Sequence, residues 1–165
     1  MIPESALILA GFVLAHAAWS VSDLPKGQLL VPLAIVEKDG KRQLQRFEAK
    51  TQEQAIAEGK ATLAKQQLTL DAWAFAREGL MTEAGRKVDV ITVDVWVKGM
   101  PQPISFIQKF TPYSSGTFRI HGPPTVVVDG KVVEAAVAAS YISGVSKGVQ
   151  QHPKVAPLWD RWQAK

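Results

Sequence analysis

The sequence predicts an α+β fold, with a single antiparallel sheet of about five to seven strands and helices packed mainly on one face. Three observations predict it. The segment Arg86–Lys98 is apolar at both alternating sets of positions, and Ala6–Trp19 contains one polar side chain. The connections between extended segments are too short for parallel crossovers. The chain has 165 residues, of which 47% are hydrophobic and 21% charged, so we expect one domain over residues 1–165.

The apolar N-terminal segment Ala6–Trp19 predicts a buried helix. It is shorter than the roughly 20 residues of a membrane span, so we expect no membrane contact. A secretory signal is the alternative, but Glu4 precedes the segment where such a signal carries basic residues. The predicted helix is apolar nearly all round and needs cover from more than one direction. The sheet supplies one side, and either a second subunit or the C-terminal helices supply the other.

A β-hairpin follows the first helix. Gln28–Glu37 alternates as a strand, and Pro32 within it indicates an edge strand or a bulge. Asp39–Gly40 is a tight-turn signal, and Arg42–Ala49 returns as the partner strand.

A second helix and a three-strand meander come next. Thr51 begins a capping-box pattern that opens a helix ending near Gln67. Three extended segments then follow with short connections, so they pair as antiparallel neighbours. They are Asp71–Glu78, Arg86–Lys98 and Ile104–Phe110. The middle one must be a central strand, because both of its faces are apolar and need cover.

The C-terminal part is predicted as short strands followed by helices. Phe118–His121 and Thr125–Val128 read as two strands around a stiff Gly-Pro-Pro corner, and Asp129 begins a second turn. Val132 and Val133 either pair back or begin a helix. The later segments Glu134–Ser143 and the turn containing Trp159 and Trp162 are predicted as helices.

Composition excludes several kinds of chemistry. The chain has no cysteine, so disulfides, thiolate catalysis and zinc ribbons are excluded. The three histidines lie far apart in sequence, and no phosphate loop, calcium loop or nucleophile elbow is present. We therefore expect no cofactor and no metal.

The net charge of +4 is unevenly distributed along the chain. Residues 1–97 hold 11 Lys and Arg against 12 Asp and Glu, whereas residues 98–165 hold 8 against 3. A basic C-terminal third is more typical of a solvated surface than of a nucleic-acid interface, because no recognised binding motif accompanies it. We therefore do not expect nucleic acid as a partner.

Asp94 is the first candidate site residue, because it falls on a largely buried face of the central strand. A buried carboxylate needs a partner. A structural pair with Arg77 on the neighbouring strand, or with Thr92, is the simpler interpretation. The alternative is a functional role.

His121 is the second candidate, held in place by the rigid corner that follows it. With Asp94 nearby it would form a carboxylate-oriented general base, and otherwise it simply caps a turn. The other two histidines are expected to be structural: His16 bonded to backbone in the core, and His152 exposed at a helix start. A pocket beside the Tyr113–Gly116 loop would have a tentative ligand-binding set consisting of Asp94, Trp96, His121, Arg119 and Arg77.

The leading functional expectation is a non-enzymatic, cytoplasmic protein-association module. It rests on the surplus apolar surface of the N-terminal helix, through which the chain would form a homodimer or bind a protein partner. The alternative is a small-molecule-binding protein or enzyme with a pocket around Asp94, Trp96 and His121.

Overall fold

The strand predicted at Arg86–Lys98 lies at the centre of the sheet. The structure, a computed structural model, describes residues 2–165. Its strands are β1 (Leu33–Lys38), β2 (Lys41–Arg46), β3 (Ala72–Glu83), β4 (Arg86–Val97), β5 (Ile104–Thr111), β6 (Arg119–Val128) and β7 (Lys131–Val132). Its helices are α1 (Glu4–Val21), α2 (Gln52–Gln66), α3 (Ala135–Gln151) and α4 (Trp159–Trp162). Within these residues the strands form one antiparallel sheet in the order β2-β1-β3-β4-β5-β6-β7, which confirms the predicted α+β class.

The two faces of β4 are covered to different extents. The inner face of the sheet, defined here as the face against α1, buries Ile91, Val93 and Val95 completely. On the outer face, Trp96 packs with Trp73 beneath α2. Thr92 and Asp94 on that face are only partly buried. The predicted cover of the outer face is therefore only partial: Val90 and Trp96 are buried, whereas the positions between them are partly exposed, because α2 packs over one end of the sheet.

Helix α1 is the predicted buried helix, and its cover comes from within the chain. Eleven of its 18 residues are buried. It packs on β3 and β4 on one side and on α3 on the other. Its length and mean hydropathy of 1.5 would suit a membrane-crossing segment, but most of the helix is inside the protein. Of the two covers that the sequence left open, a C-terminal helix is present.

Glycines let α1 and α3 approach unusually closely. A Cβ placed on Gly11 would overlap the carbonyl oxygen of Val145, and one on Gly148 would overlap that of Ile8. A Cβ on Gly144 would lie 2.6 Å from the Cβ of Leu7. Small residues at such a crossing bring two helix backbones into direct contact, as in tightly packed helix pairs of membrane proteins.

Strand β1 is not the edge strand that Pro32 suggested. It lies between β2 and β3, and Pro32 precedes it, with its carbonyl accepting a hydrogen bond from the Phe47 N–H at 2.9 Å. Strand β2 forms that edge of the sheet, and its sequence KRQLQR is polar enough to discourage pairing with another chain.

The region after β5 differs from the prediction in two ways. The two strands expected around the Gly-Pro-Pro corner are one strand, β6, with an irregular register against β5. Val132 pairs back as part of β7, and α3 continues two turns past Ser143 to Gln151. Glycine is a poor helix former, but Gly144 and Gly148 remain helical here because the close packing on α1 outweighs their propensity.

The α1–α3 crossing can be tested with Gly148→Ala. We expect a loss of about 3 kcal/mol of unfolding free energy, at the upper end for overpacking, because the new methyl group meets backbone that cannot move aside. Chemical denaturation monitored by circular dichroism measures it. Gly79→Ala is the matched control: a Cβ at Gly79 meets nothing within 4 Å, so its stability should change by less than about 1 kcal/mol. Equal losses in both variants would contradict the close crossing.

Candidate functional site

A groove runs between α3 and β6 on the inner side of the sheet. It exists because α3 is drawn against α1 by the glycine contacts and has few contacts with β6. Two adjoining cavities make up the groove, and they share Pro123, Pro124 and Ile142. We call them the polar cavity and the apolar cavity.

The local sequence of β6 opens the floor of the groove. Gly122 has a φ of +68°, a conformation that favours glycine, and the two prolines after it lack an N–H for sheet pairing. The β5–β6 register therefore jumps between Ile107 and Lys109 on β5. Gln108 pairs with Ile91 on β4 but has no partner in the β5–β6 ladder.

Gln108 is among the residues that line the polar cavity. Its side chain is completely buried. The Nε2 group donates hydrogen bonds to the carbonyl oxygens of Gly122 at 2.9 Å and Lys109 at 3.1 Å, with a longer contact of 3.4 Å to that of His121. Among residues 2–165 the Oε1 atom has no hydrogen-bond partner. Such a buried acceptor is costly to leave unpaired.

The two cavities differ in chemistry. The polar cavity has a volume of about 340 Å³ and is bounded by Leu14, Val145, Val149 and Trp159, with Ser146 and Asp160 on the exposed side. The apolar cavity has a volume of about 480 Å³, and its walls include Val126, Val132, Val133, Ala138 and Ala139. Together they form a mainly apolar groove, and Gln108 is the one fully buried polar side chain among its described lining residues.

Asp94 lies outside this groove, on the outer face of the sheet. Its carboxylate oxygens accept hydrogen bonds from the Arg77 Nη1 at 2.7 Å and the Ser105 hydroxyl at 2.6 Å. The predicted pair with Arg77 is thus formed, and it is partly buried. Because this carboxylate is already paired with a cation and a hydroxyl, its place in the fold is explained without a ligand.

The structure does not bring Asp94 and His121 together. Asp94 pairs with Ser105 across the sheet, whereas His121 pairs with Lys109, four residues further along β5. At about 3.4 Å per residue these positions are roughly 13 Å apart along the strand, too far for a general-base pair.

The other residues of the predicted ligand-binding set also lie apart from one another. His121 Nε2 lies 2.6 Å from the hydroxyl of Thr111. Trp96 donates to the carbonyl of Met100 under α2, and Arg119 donates to the carbonyl of Arg161. The hollow beside the Tyr113–Gly116 loop measures about 410 Å³ and is lined by His121, but not by Asp94, Trp96, Arg119 or Arg77.

Two histidines that were expected to be independent form a pair. His16 on α1 and His152 at the end of α3 have Nδ1 and Nε2 3.1 Å apart. His152 is buried, not exposed at a helix start. The Lys154 backbone N–H donates to His152 Nδ1, so His152 carries its proton on Nε2 and donates to His16 Nδ1. This arrangement requires both rings to be neutral.

Burial lowers the pKa of both His16 and His152 below the ordinary value of 6.5. For His16, the neighbouring His152 and Arg46 lower the pKa further when positively charged. The depressed values agree with the hydrogen-bond directions, because a second proton on either ring would place two donors against each other.

Two carboxyl groups on the inner face, those of Glu78 and Asp89, are at least partly buried. Burial raises the pKa of Glu78, and the nearby Asp89 raises it further. Burial also raises the pKa of Asp89. Glu78 accepts a hydrogen bond from the Leu30 N–H at 2.9 Å and thereby fixes the loop before β1 to the sheet.

The histidine pair predicts a loss of stability on mild acidification. The unfolded chain binds protons at pH values just below 6.5, whereas the folded chain, with its lowered pKa values, does not. The unfolding free energy should therefore fall as the pH drops below 6.5, by at most about 1.4 kcal/mol per pH unit for each proton.

Denaturation at pH 7.5 and 5.5 measures this slope. His16→Gln removes one of the two titrating rings and should make the slope shallower, while His121→Gln, which lies outside the pair, should leave the contribution of the pair intact. A slope unchanged by His16→Gln would show that the pair does not couple protons to folding.

The groove was missed by sequence reasoning, although one signal was present. Gln108 interrupts an otherwise apolar inner face of β5 formed by Ile104, Phe106 and Phe110. A polar residue at such a position, followed on the next strand by Gly-Pro-Pro, indicates a side chain with a special task.

Comparison with known proteins leaves the groove as the main evidence about function. No family model, no curated protein and no solved structure matches the chain. In the described part of the chain, residues 2–165, no group of three or more metal-ligating His, Asp or Glu side chains converges.

Proposed function

We propose that this protein binds a small, largely apolar molecule in the groove between α3 and β6. The observation that carries the proposal is the groove itself: an apolar cavity of about 480 Å³ adjoins a more polar cavity of about 340 Å³. Ligand pockets have volumes of about 300–1,000 Å³, mainly apolar walls and a few placed polar groups. The site differs from the pocket expected around Asp94, Trp96 and His121.

The lining favours binding over catalysis. Asp160 is the one ionisable side chain among the described residues that border the two cavities, and it is exposed to solvent. General acid–base chemistry requires a titratable group placed at the reacting atom. A groove with apolar walls and amide or hydroxyl groups supplies affinity and orientation instead.

The proposal predicts that a neutral fluorescent probe such as N-phenyl-1-naphthylamine binds the protein with enhanced, blue-shifted emission. Ala139→Phe should weaken this binding at least about tenfold, because Ala139 lines the apolar cavity and a phenyl ring would fill it. Fluorescence titration measures both dissociation constants.

Ala136→Phe is the matched control. Ala136 is also an exposed alanine of α3, but it does not line the groove. Probe binding equal to the wild type in Ala136→Phe and lost in Ala139→Phe supports the groove. Equal binding in both variants, or no binding to the wild type, would contradict the proposal.

Self-association through α1 stays a prediction from the sequence. Since α3 and the sheet cover most of α1, Trp19 is its large hydrophobic side chain that remains 41% exposed. A dimer formed by this helix should therefore dissociate in Trp19→Ala. Light scattering at micromolar concentration measures the mass, and a wild-type monomer would contradict this prediction.

A further inference from the structure

We infer that the open edge of β2 binds an extended acidic segment of a protein partner, which adds a strand to the sheet. Acidic side chains of the segment pair with Arg42 and Arg46, and an apolar side chain between them packs on Leu44. The edge lies apart from the groove between α3 and β6, so this inference does not depend on the proposed function.

One edge of the sheet is open and the other is short and interrupted. The strand order places β2 at one end of the sheet, with β1 as its single strand neighbour. At the other end β7 has two residues, and Pro123 and Pro124 of the adjacent β6 have no N–H to offer. The six residues Lys41–Arg46 of β2 are therefore the longer free edge, and such an edge is a template for another strand.

The turn before β2 determines which of its backbone groups are free. Both residues of the Asp39–Gly40 turn have a positive φ, and β1 and β2 pair from this two-residue turn onward without a bulge. The pair that closes such a turn is hydrogen-bonded, and hydrogen-bonded and non-hydrogen-bonded pairs then alternate along the ladder. Arg42, Leu44 and Arg46 fall in the non-hydrogen-bonded pairs. Their N–H and C=O groups therefore point away from β1, to the open edge.

The same three residues share one side-chain face of β2. Leu44 lies opposite Ile35, which belongs to the hydrophobic core that contains α1, and alternate residues of a strand share a face. Arg42 stacks over the Phe12 ring of α1, with its Cζ 4.9 Å from the ring centroid. Leu44 remains 37% exposed. An added strand therefore gains backbone hydrogen bonds and side-chain contacts at the same positions.

The charge of this edge selects an acidic partner. Strand β2 contains Lys41, Arg42 and Arg46 and no acidic residue. Arg42 already pairs with Glu37 on β1 at 2.6 Å, whereas Arg46 is exposed and forms no salt bridge among residues 2–165. Facing positions of an antiparallel pair favour opposite charges and disfavour like ones. The basic residues that discourage pairing with an apolar chain or a second copy therefore favour a strand with Glu or Asp at the facing positions.

The free backbone groups favour a polypeptide over a nucleic acid. A phosphodiester backbone offers acceptors only, so it would use the cations of β2 and leave the carbonyl groups of the edge without donors. An extended polypeptide supplies both donors and acceptors at the spacing of the edge, as in β-strand addition. Alternate side chains of the added strand then provide the specificity.

Titration with a synthetic peptide tests the inference. The probe is the dye-labelled peptide Thr-Glu-Thr-Val-Thr-Glu-Thr, and fluorescence anisotropy with the full-length chain at pH 7.5 and low ionic strength gives its dissociation constant. We expect it to bind at least about fivefold more tightly than the same peptide with Lys in place of Glu. N-methylation of the valine, whose N–H faces β2, should weaken binding at least about tenfold. N-methylation of the threonine that follows, whose N–H faces solvent, should change it less than about twofold.

Arg46→Glu places a like charge opposite one glutamate of the probe and should weaken binding at least about fivefold. Arg86→Glu is the matched control, because Arg86 is also an exposed arginine, at the start of β4, and both variants have the same net charge. Circular dichroism checks that both variants fold, and the comparison among peptides uses the wild type and stands without them. Equal weakening in the two variants would show attraction to overall charge and overturn the inference. No binding to the wild type, equal affinities of the two N-methylated peptides, or tighter binding of a thymidine oligonucleotide than of the probe would also overturn it.

Discussion

The contact between α1 and α3 is the constraint on which the rest of this structure depends. Three glycines remove the side chains that would hold the helices apart, so α3 lies directly on the backbone of α1. Interiors are packed at the density of organic crystals, and a helix pair brought this close excludes solvent from most of α1. The central apolar helix is thereby buried within one chain.

The contact with α1 also determines how α3 lies relative to β6. A helix held against α1 cannot also lie on β6, and the irregular Gly-Pro-Pro segment moves the strand away from a regular ladder. The space between them forms the groove, and Gln108 is the residue of β5 that the irregularity leaves out of the β5–β6 ladder. The candidate site thus arises from the same packing that stabilises the core.

Much of the fold could be predicted from the sequence because its signals are local. The apolar run of α1, the Thr51 cap of α2 and the short connections of the meander each report a nearby constraint, and the structure agrees with them. The Thr51 hydroxyl, for example, accepts the Gln54 N–H as a helix cap should. The burial of the outer face was overestimated, because a pattern of apolar residues predicts burial only as an average tendency.

The site could not be predicted in the same way, because it depends on contacts between distant segments. From the sequence alone, Gly144 and Gly148 are positions that weaken a helix. Their role in packing becomes visible only when α1 lies beside them. His16 and His152 are separated by 136 residues, and only the packed helices make them a pair. In the sequence Asp94 is a lone carboxylate on an apolar strand. In the structure its partners Arg77 on β3 and Ser105 on β5 explain its position.

The position of α1 in the chain has a consequence for synthesis, because α1 and α3 leave the ribosome at different times. This helix is synthesised before the sheet and before α3, and its second cover, the segment around Gly148, emerges about 127 residues after the end of α1. At 5–20 residues per second this interval lasts roughly 6–25 s. During this interval the side of α1 that faces α3 lacks its cover, so this side of the helix must stay apart from other chains until α3 has been made.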